Sequence, residues 1–381
     1  MAVGSAPAFF TEDFLLQLDD LLFEICEDLQ LSPSRYRLAE ERYKTLGKYL
    51  EAVNSPFRGF RPYIYPQGSM RLNTTSKPIS GPHDLDFVLE LAIDYSLVDP
   101  MSLLRALFKY VQDSAVYRAM LELKNRCIRL EYADEFYMDV LPACRNGQLG
   151  GTCVKVPDRA SKGWTDSDPI GYANWFEGEA RKLPSLEVAA KAQPLPAQQA
   201  VSEKLPLQLA VQLLKRQRDL RYQSQVDLAP ISVVLTTLSG RNYNGEPSVS
   251  AALTGILGGI VNEIRSAELR GTRVYVFNPS NPAEDLSERW DENTAAYAAF
   301  VEGIRELEAD WKRVVSRVGN IPAQLERLFG EPVNIALEKQ ARRVQEARLQ
   351  NKLAVRPSGI ITAVGIGALR MRPNTYHGGE R

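Results

Sequence analysis

Two aspartates stand two residues apart at the start of an apolar segment, and a third lies in another apolar segment further along the chain. Asp84 and Asp86 precede the apolar run 87–89, and Asp139 lies within residues 136–142. Because side chains alternate across a strand, acids at i and i+2 point to one face. Three carboxylates from neighbouring strands would supply the oxygen ligands that Mg²⁺ prefers. The pattern predicts a metal site suited to phosphate chemistry.

The three acids can divide the work of a two-metal site. Two Mg²⁺ ions, for which Mn²⁺ can substitute, would lower the pKa of an attacking hydroxyl and neutralise a leaving pyrophosphate. We predict that Asp84, Asp86 and Asp139 are catalytic residues and metal ligands. Asp86 would bridge the ions, and Asp139 would hold the ion on the nucleophile's side. The alternative is that Asp-x-Asp marks only a solvated strand edge, although its apolar surroundings argue against that.

A glycine-serine pair and two later residues are candidates for binding phosphate. Gly68-Ser69 offers backbone N–H groups and a hydroxyl that can cradle phosphate oxygens. Lys215, on a predicted helix, would reach the β- and γ-phosphates as a point charge. Ser232, early in the next predicted helix, would donate its hydroxyl to the same groups. Alternatively, Lys215 belongs to a solvated face and Ser232 is a simple helix cap.

Other side chains near these segments leave two interpretations open. The basic residues between 215 and 221 form either a nucleic-acid patch or a solvated helix face. Four aromatic side chains either stack on a nucleobase or pack under a loop: Trp164, Tyr172, Trp175 and Phe176. His83, beside the acids, is expected to position its neighbours rather than to bind metal.

Composition restricts the class of protein. The 381 residues suffice for two domains or one bilobed unit. Lys+Arg (46) and Asp+Glu (47) balance, which argues against a protein that grips long duplexes through its net charge. Four scattered cysteines and two histidines predict reduced thiols and no structural zinc site. Without an apolar run of membrane-spanning length or a signal peptide, we predict a cytoplasmic protein with no membrane contact.

The elements that must position these residues alternate between helices and strands in the first half of the chain. Periodicity predicts two helices within 11–53. The remaining elements of this half are an extended segment at 62–66, a strand at 83–93, a helix at 100–119, two paired strands at 127–132 and 136–142 around a turn at 134–135, and a mostly loop segment at 145–200 with a short helix at 172–181. This order is typical of an α+β core with a small mixed sheet.

The second half of the chain is predominantly helical. Helices are predicted from 206, from 230, and over 248–266, 289–315, 320–329 and 333–350. The glycine-bearing end is predicted to be loosely ordered. We therefore predict N-terminal helices and a catalytic core at 1–200, an α-helical domain at 201–350 and a flexible tail at 351–381, with the active site in a cleft.

Taken in order, these segments resemble the cGAS/DncV-like nucleotidyltransferases (CD-NTases) of bacterial CBASS anti-phage signalling. The resemblance spans about residues 10–340. Gly68-Ser69 followed by Asp84-Leu85-Asp86 resembles the family's G-S…D-x-D motif. The other similar segments are the third-acid strand at 139–143, the segments at 156–159 and 168–176, the helix at 209–218 with Lys215 as the phosphate-contacting lysine, Ser232 at the position of the triphosphate-contacting serine, and the N-P…L…W signature at 277–290.

The resemblance implies a polymerase-β-like nucleotidyltransferase core packed against an α-helical domain of the OAS/PAP type. It implies a synthase that joins purine nucleoside triphosphates, ATP and GTP, through a linear intermediate into a cyclic di- or trinucleotide, with release of pyrophosphate. Cyclic GMP-AMP is the first expectation. The product would activate a separate effector during phage infection. The zinc-binding insertion of the animal DNA sensor is absent, which argues against sensing of double-stranded DNA, and a regulatory protein would act on the C-terminal tail.

Two other functions are open on the residues alone. A template-free nucleotidyltransferase that modifies an RNA end or a protein would use the same acids. A non-catalytic nucleotide-binding or scaffold protein fits less well with three intact acids. Base identity, ring size and 3′–5′ against 2′–5′ linkage depend on a few side chains that the pattern does not identify. The activating signal and the oligomeric state are likewise open, so the products formed from nucleoside triphosphates are the discriminating observation.

Overall fold

A computed structural model describes residues 8–132, 136–147, 151–182, 200–350, 352–355, 361–363 and 369–370. These residues form two compact units. The larger unit comprises 29–311, and the smaller unit combines the residues before 29 with those from 312 onwards. Both sides of the predicted domain boundary at 200 and 201 belong to the larger unit, and the predicted domain limits stay a prediction.

Helices make up much of both units. The α-helices of the described residues are α1 (Ala8–Asp28), α2 (Pro33–Leu50), α3 (Gly68–Arg71), α4 (Pro100–Gln112), α5 (Pro169–Ala180), α6 (Pro206–Arg221), α7 (Ser232–Asn242), α8 (Val249–Leu269), α9 (Arg289–Glu292), α10 (Thr294–Val315), α11 (Ile321–Phe329) and α12 (Pro332–Leu349). Side-chain caps fix several starts: Ser32, Asp99 and Asp168 each accept a backbone N–H of the first turn, and proline follows each cap.

The strands form three separate sheets. They are β1 (Tyr63–Pro66), β2 (His83–Asp94), β3 (Leu121–Leu123), β4 (Ile128–Tyr132), β5 (Phe136–Arg145), β6 (Val154–Asp158), β7 (Gly163–Ser167), β8 (Phe277–Asn278), β9 (Asn281–Asp285), β10 (Leu353–Val355), β11 (Ile361–Ala363) and β12 (Leu369–Arg370). The large sheet has the order β1-β2-β5-β4-β3 and continues from β5 through β6 to β7. β2 and β5 are parallel and the other pairs antiparallel, so the predicted mixed sheet is confirmed.

The alternation of β2 determines which face its acids occupy. Leu85, Phe87 and Leu89 are fully buried against α2 and α4, and the ring of Phe87 stacks on Tyr43 at 4.7 Å. Asp84 and Asp86 occupy the alternate positions, so they lie on the opposite face of the sheet. Burial of the apolar face therefore fixes the register that presents the acids.

Several predicted elements need correction. The segment at 145–200, predicted as mostly loop, contains the antiparallel pair β6 and β7. β7 carries polar residues on both faces, so it lacks the apolar alternation that identifies strands. The helix predicted at 100–119 ends at Gln112, and the helix predicted at 289–315 is two helices separated at Asn293. The hairpin β8–β9 was not predicted because its proline-rich sequence is typical of loops.

The smaller unit also departs from the prediction of a loose tail. β10 pairs with β11 and β12 in an antiparallel sheet, and this unit also contains α1, α11 and α12. The rest of the predicted tail, residues 351, 356–360, 364–368 and 371–381, lies outside the described residues, as does the turn predicted at 134–135. In the described part of the chain, no helix has both the length and the apolar character needed to cross a membrane.

Candidate active site

One cleft of about 770 Å³ in the larger unit gathers all seven residues predicted from sequence. The volume is in the range of small-molecule sites. The seven residues are Gly68, Ser69, Asp84, Asp86, Asp139, Lys215 and Ser232. Strands supply the acids, while helices α6 and α7 supply the lysine and the second serine. The cleft thus brings the two predicted groups, metal ligands and phosphate ligands, onto one surface.

The acids of the cleft are set side by side by strand pairing. Asp86 on β2 is the direct parallel neighbour of Asp139 on β5. The side chain of Asp84 is 64% exposed, whereas that of Asp139 is 17% exposed. Burial, together with the charges of Asp139 and Asp84, raises the pKa of Asp86 to about 7. This crowding of carboxylates favours a bound cation.

An arginine that the sequence analysis missed lies among these acids. Arg129 on β4 is the cross-strand partner of Asp139. Its Nε and Nη2 donate to the two carboxylate oxygens of Asp139 at 2.7 and 2.8 Å, and Nη2 lies 3.4 Å from Oδ1 of Asp84. This pairing raises the pKa of Arg129. The signal was available, because a short loop between the two predicted strands implies this register.

The donor set fits a hard divalent cation, since three carboxylates lie on this face of the sheet. As they stand, however, no three Asp, Glu, His or Cys side chains within the described ranges are close enough together to hold a metal ion. Both oxygens of Asp139 are engaged by Arg129. A cation held by all three acids would therefore lie close to the guanidinium of Arg129, whose like charge opposes it.

The glycine-serine segment packs directly against the acids. Gly68 begins the short helix α3 with φ +58°, a left-handed conformation that favours glycine. A Cβ at this position would lie 2.8 Å from Oδ2 of Asp86, so glycine is also required for space. The backbone N–H of Gln67 donates to the Asp86 carbonyl at 2.9 Å. Ser69 is half-buried and lines the cleft beside this carboxylate.

Lys215 is buried, not solvated, so the alternative interpretation of this residue is wrong. Its side chain is 7% exposed, and Nζ donates to Oγ1 of Thr74 at 3.0 Å and to the Thr74 carbonyl at 3.3 Å. Burial, reinforced by the charge of Arg218, lowers the pKa of Lys215 to about 7. A lysine in this state gains charge when an anion binds beside it.

Lys215 is one of three side chains of α6 that hold the segment following Gly68-Ser69. Gln208 donates to the carbonyl of Leu72 at 2.9 Å, and Gln212 donates to that of Thr75 at 2.5 Å. The three positions lie on one helix face. This contact fixes α6 against the loop that carries the predicted phosphate cradle.

Arg218 is a second cation of the cleft that sequence reasoning did not assign to it. Its Nη1 donates to Oγ of Ser232 at 2.5 Å, and its Nε donates to Asp219 at 2.8 Å. Ser232 is the first residue of α7, whose N-cap is Ile231, so the prediction of a simple cap is wrong. The hydroxyl of Ser232 instead faces the arginine within the cleft.

The basic segment at 215–221 forms neither an exposed patch nor a solvated face. Lys215 and Arg216 are each 7% exposed. Arg221 pairs with Glu306 and lies 3.8 Å from Glu302. These basic side chains are buried or paired with acids within the larger unit, so this segment does not present an exposed nucleic-acid patch.

Another acid of the cleft, Glu284, was also missed. Glu284 on β9 accepts a hydrogen bond at 2.7 Å from Nδ2 of Asn278, a buried residue of β8. The side-chain Oδ1 of Asn278 accepts from the backbone N–H and the hydroxyl of Ser280 at 3.0 and 2.9 Å. These bonds fix the orientation of the Asn278 side-chain amide. Burial, with a smaller contribution from the charge of Asp168, raises the pKa of Glu284 to about 7. The N-P signature pointed to this hairpin but not to its acid.

His83 and the aromatic residues have mainly packing roles. His83 is 3% exposed, and burial lowers its pKa to about 4. Phe176 is fully buried, and Trp164 packs edge-on against Tyr95. Tyr172 lines the cleft, but its hydroxyl shares a hydrogen bond with Thr237 at 2.9 Å. Packing is therefore the better account of these rings.

Comparison with known proteins decides the family. A model described as the Second Messenger Oligonucleotide or Dinucleotide Synthetase domain matches residues 17–179. A c-di-GMP synthase from Roseivirga ehrenbergii is 30% identical over 376 residues, which cover 97% of this chain and 99% of that protein. The chain belongs to the CD-NTase family. The predicted family and the predicted nucleotidyltransferase class are confirmed.

Other relatives of this CD-NTase agree. The cyclic dinucleotide synthase CdnG of Bradyrhizobium diazoefficiens is 28% identical over 321 residues, or 78% of this chain and 76% of that protein. The structure of that CdnG in complex with GTP has a TM-score of 0.70 at 25% identity, covering 85% of this chain and 99% of that chain. Escherichia coli DncV in a 3′-deoxy GTP-bound form shares the fold, with a TM-score of 0.54 at 16% identity over 87% of this chain and 93% of that chain. The predicted fold class is confirmed.

Proposed function

We propose that this CD-NTase joins two molecules of GTP into the cyclic dinucleotide c-di-GMP, with release of pyrophosphate. The observation that carries the proposal is the parallel register that sets Asp86 beside Asp139 in a cleft which also holds Lys215 and Ser232. The cleft has acids on one wall and cations on another. The acids suit the metal-assisted reaction of a hydroxyl, and the cations suit a triphosphate, and GTP has both groups. The relative named as a c-di-GMP synthase, similar over almost the whole chain, supports the product.

The acids of β2 and β5 are the proposed ligands of Mg²⁺, with Mn²⁺ as a substitute. Bound metal would supply acidification of the attacking hydroxyl and neutralisation of the leaving pyrophosphate. Asp84, Asp86 and Asp139 would hold it. These residues would also orient the metal, because the paired strands keep their carboxylates adjacent before and after substrate binds.

The cations of α6 are proposed to bind the triphosphate. The pKa of Lys215 is about 7, so only about half of the free protein carries this charge at pH 7, and a phosphate group beside it would raise its pKa and restore the charge in full. Arg218 donates to the hydroxyl of Ser232 and so orients it. The Gly68-Ser69 segment faces the acids and is proposed to contact the phosphate nearest to them.

Glu284 is proposed to select the base. Guanine presents two adjacent donors, N1–H and the 2-amino group, whereas adenine presents an acceptor at N1. A carboxylate whose position is fixed by Asn278 can accept both guanine donors. The CdnG structure in complex with GTP also supports guanine as a substrate base.

Cyclic GMP-AMP is the second candidate product, and a specific observation favours keeping it. The pKa of Glu284 lies near 7, so part of the protein carries a protonated carboxyl at neutral pH. A protonated carboxyl both donates and accepts, which suits the adenine edge. In either case, the product is proposed to act on a separate effector in anti-phage defence, and control through the tail stays a prediction.

Product analysis tests the proposal. The full chain is incubated with Mg²⁺ and GTP alone, GTP with ATP, or all four nucleoside triphosphates, and the phosphatase-resistant products are identified by mass spectrometry and nuclease digestion. We expect c-di-GMP from GTP alone and none from Asp86→Asn. Product that forms only when an RNA or protein acceptor is added would instead support a template-free transferase.

A further inference from the structure

The contact between Arg129 and Asp139 has consequences for any cation that approaches the cleft. The guanidinium uses both carboxylate oxygens of Asp139, in the two-point geometry that arginine forms with carboxylates. It also lies 3.4 Å from Asp84. Arg129 thus occupies the space between two of the three acids that are proposed to bind metal.

A divalent cation and the guanidinium of Arg129 compete for the same carboxylate, that of Asp139. A metal ligated by Asp139 would bind a carboxylate whose two oxygens both already accept from Arg129, so the two cations would share one anionic group. Two cations sharing one carboxylate also repel each other, and repulsion at this range is strong in a partly buried site. The side chains of Arg129 and Asp139 are only 22% and 17% exposed, so water screens the pair weakly.

The surroundings of Arg129 provide a second contact that does not involve the acids. Its guanidinium carbon lies 4.6 Å from the centroid of the Tyr137 ring, which is on the same face of β5 as Asp139. A cation over an aromatic face is stabilised there. Arg129 can therefore release Asp139 without losing every partner.

We propose that Arg129 is the internal counter-ion of the acid cluster, which holds Asp139 away from metal until a divalent cation displaces it. The proposal rests on the proposed metal site and adds a positioning residue to it. Metal binding and opening of the Arg129–Asp139 pair are then one coupled event. The protein without metal is stabilised by the arginine, and the protein with metal is not.

The test is Mn²⁺ binding without nucleotide, measured by titration calorimetry at pH 8, where the carboxylates are ionised. Arg129→Met keeps the apolar stem and removes the competing charge. We expect it to bind Mn²⁺ about tenfold more tightly than the unmodified chain, the scale of one strong charge interaction. Its thermal unfolding temperature should fall in EDTA and rise more steeply with added Mn²⁺.

Arg145→Met is the matched control. Arg145 lies on β5, the strand paired with β4, and it also pairs with an acid, Glu90 at 3.1 Å, but it is 64% exposed and does not contact the three acids. Its Mn²⁺ affinity should equal that of the unmodified chain. Arg129→Lys, which keeps a charge but loses the two-point contact, should give a gain of about threefold. This variant keeps the test available if Arg129→Met does not fold.

The outcomes separate two failures. If Mn²⁺ binds the unmodified chain but binds the Arg129 variants equally or more weakly, the arginine supports the metal site and the inference is wrong, while the proposed function survives. If neither the unmodified chain nor any variant binds Mn²⁺, even with GTP present, the proposed metal site is wrong. Both proposals are then wrong.

Discussion

The two walls of the cleft hold their charged residues in different ways. Asp86 and Asp139 are carried by paired strands, so hydrogen-bonded register makes them neighbours. Lys215 and Arg218 are carried by a helix and held by side-chain hydrogen bonds, Lys215 to Thr74 and Arg218 to Ser232 and Asp219. Backbone register leaves little freedom, whereas a side-chain bond can exchange its partner for a ligand. The acid wall is therefore a fixed frame, and the cation wall is the adjustable part.

Both walls are also partly neutralised before any ligand binds. The pKa of Asp86 is raised to about 7 and that of Lys215 is lowered to about 7. Arg129 and Asp219 supply opposite charges to their own walls. A metal ion and a triphosphate would each restore charge at the wall that they bind. Four predictions probe this contrast.

The largest effect is expected at the fixed frame. Asp86→Asn removes a central carboxylate without changing the strand, so we expect product formation from GTP to fall by about a thousandfold or more. Initial rates measured by mass spectrometry check this. The control is Asp94→Asn at the end of the same strand, where the carboxylate caps Ser96 and lies outside the cleft. Substantial activity in Asp86→Asn would show that the frame is not the catalytic wall.

The next effect is expected at the adjustable wall. Lys215→Met should weaken GTP binding by about ten- to a hundredfold, because a buried cation beside the triphosphate is lost. In the unmodified chain, free Lys215 loses its proton as pH rises above about 7, so binding must take a proton up. Affinity should then fall by up to about tenfold per pH unit between pH 7 and 9.

Calorimetric titration with GTP across that pH range measures both effects. Lys44→Met, which removes an exposed lysine paired with Glu40 on α2, should leave the pH dependence unchanged. A pH dependence that persists in Lys215→Met would assign the proton to another group.

A smaller effect is expected on stability. The pKa of Asp86 is about 7 in the folded chain, above its unfolded value, so folding takes up a proton between about pH 4 and 7. Stability of the metal-free protein should therefore decrease as pH rises through this window. Asp86→Asn should stabilise the metal-free chain by about 1–2 kcal/mol at pH 8 and by nearly nothing at pH 4. Denaturant unfolding in EDTA checks the difference, and an equal effect at both values would contradict the raised pKa.

The smallest effect concerns the base. Glu284→Gln replaces the carboxyl with an amide, which always donates as well as accepts. The ratio of ATP to GTP incorporation should therefore rise by about three- to fivefold. Competition between the two labelled nucleotides measures the ratio. Glu288→Gln, on the exposed chain that follows the same hairpin, is the control. An unchanged ratio in Glu284→Gln would remove this residue from base selection.

The contrast between the walls also explains what the sequence could predict. The acids, the mixed sheet and the pairing of β4 with β5 follow from alternation and apolar runs, which are local patterns. Arg129 was predictable in principle, because that pairing places it opposite Asp139. It was missed because the register of the pair was not followed residue by residue.

The cation wall depends on contacts distant in the sequence, and the position of Glu284 depends on a hairpin that local patterns do not identify. Lys215 meets Thr74, and Asn278 is fixed beside Glu284 by a hairpin rich in proline. No local pattern distinguishes a buried lysine of α6 from a solvated one, since Arg216 and Arg218 follow it. Likewise, the polar strand β7 resembles a loop until its pairing with β6 is known.

The most direct test of the central claim is a crystal structure with Mn²⁺ and a GTP analogue that cannot react. The account predicts anomalous scattering from Mn²⁺ at Asp84, Asp86 and Asp139, and the triphosphate within hydrogen-bonding distance of Lys215 and Ser232. Metal bound away from the three acids, or a triphosphate that leaves both helix residues untouched, would contradict it.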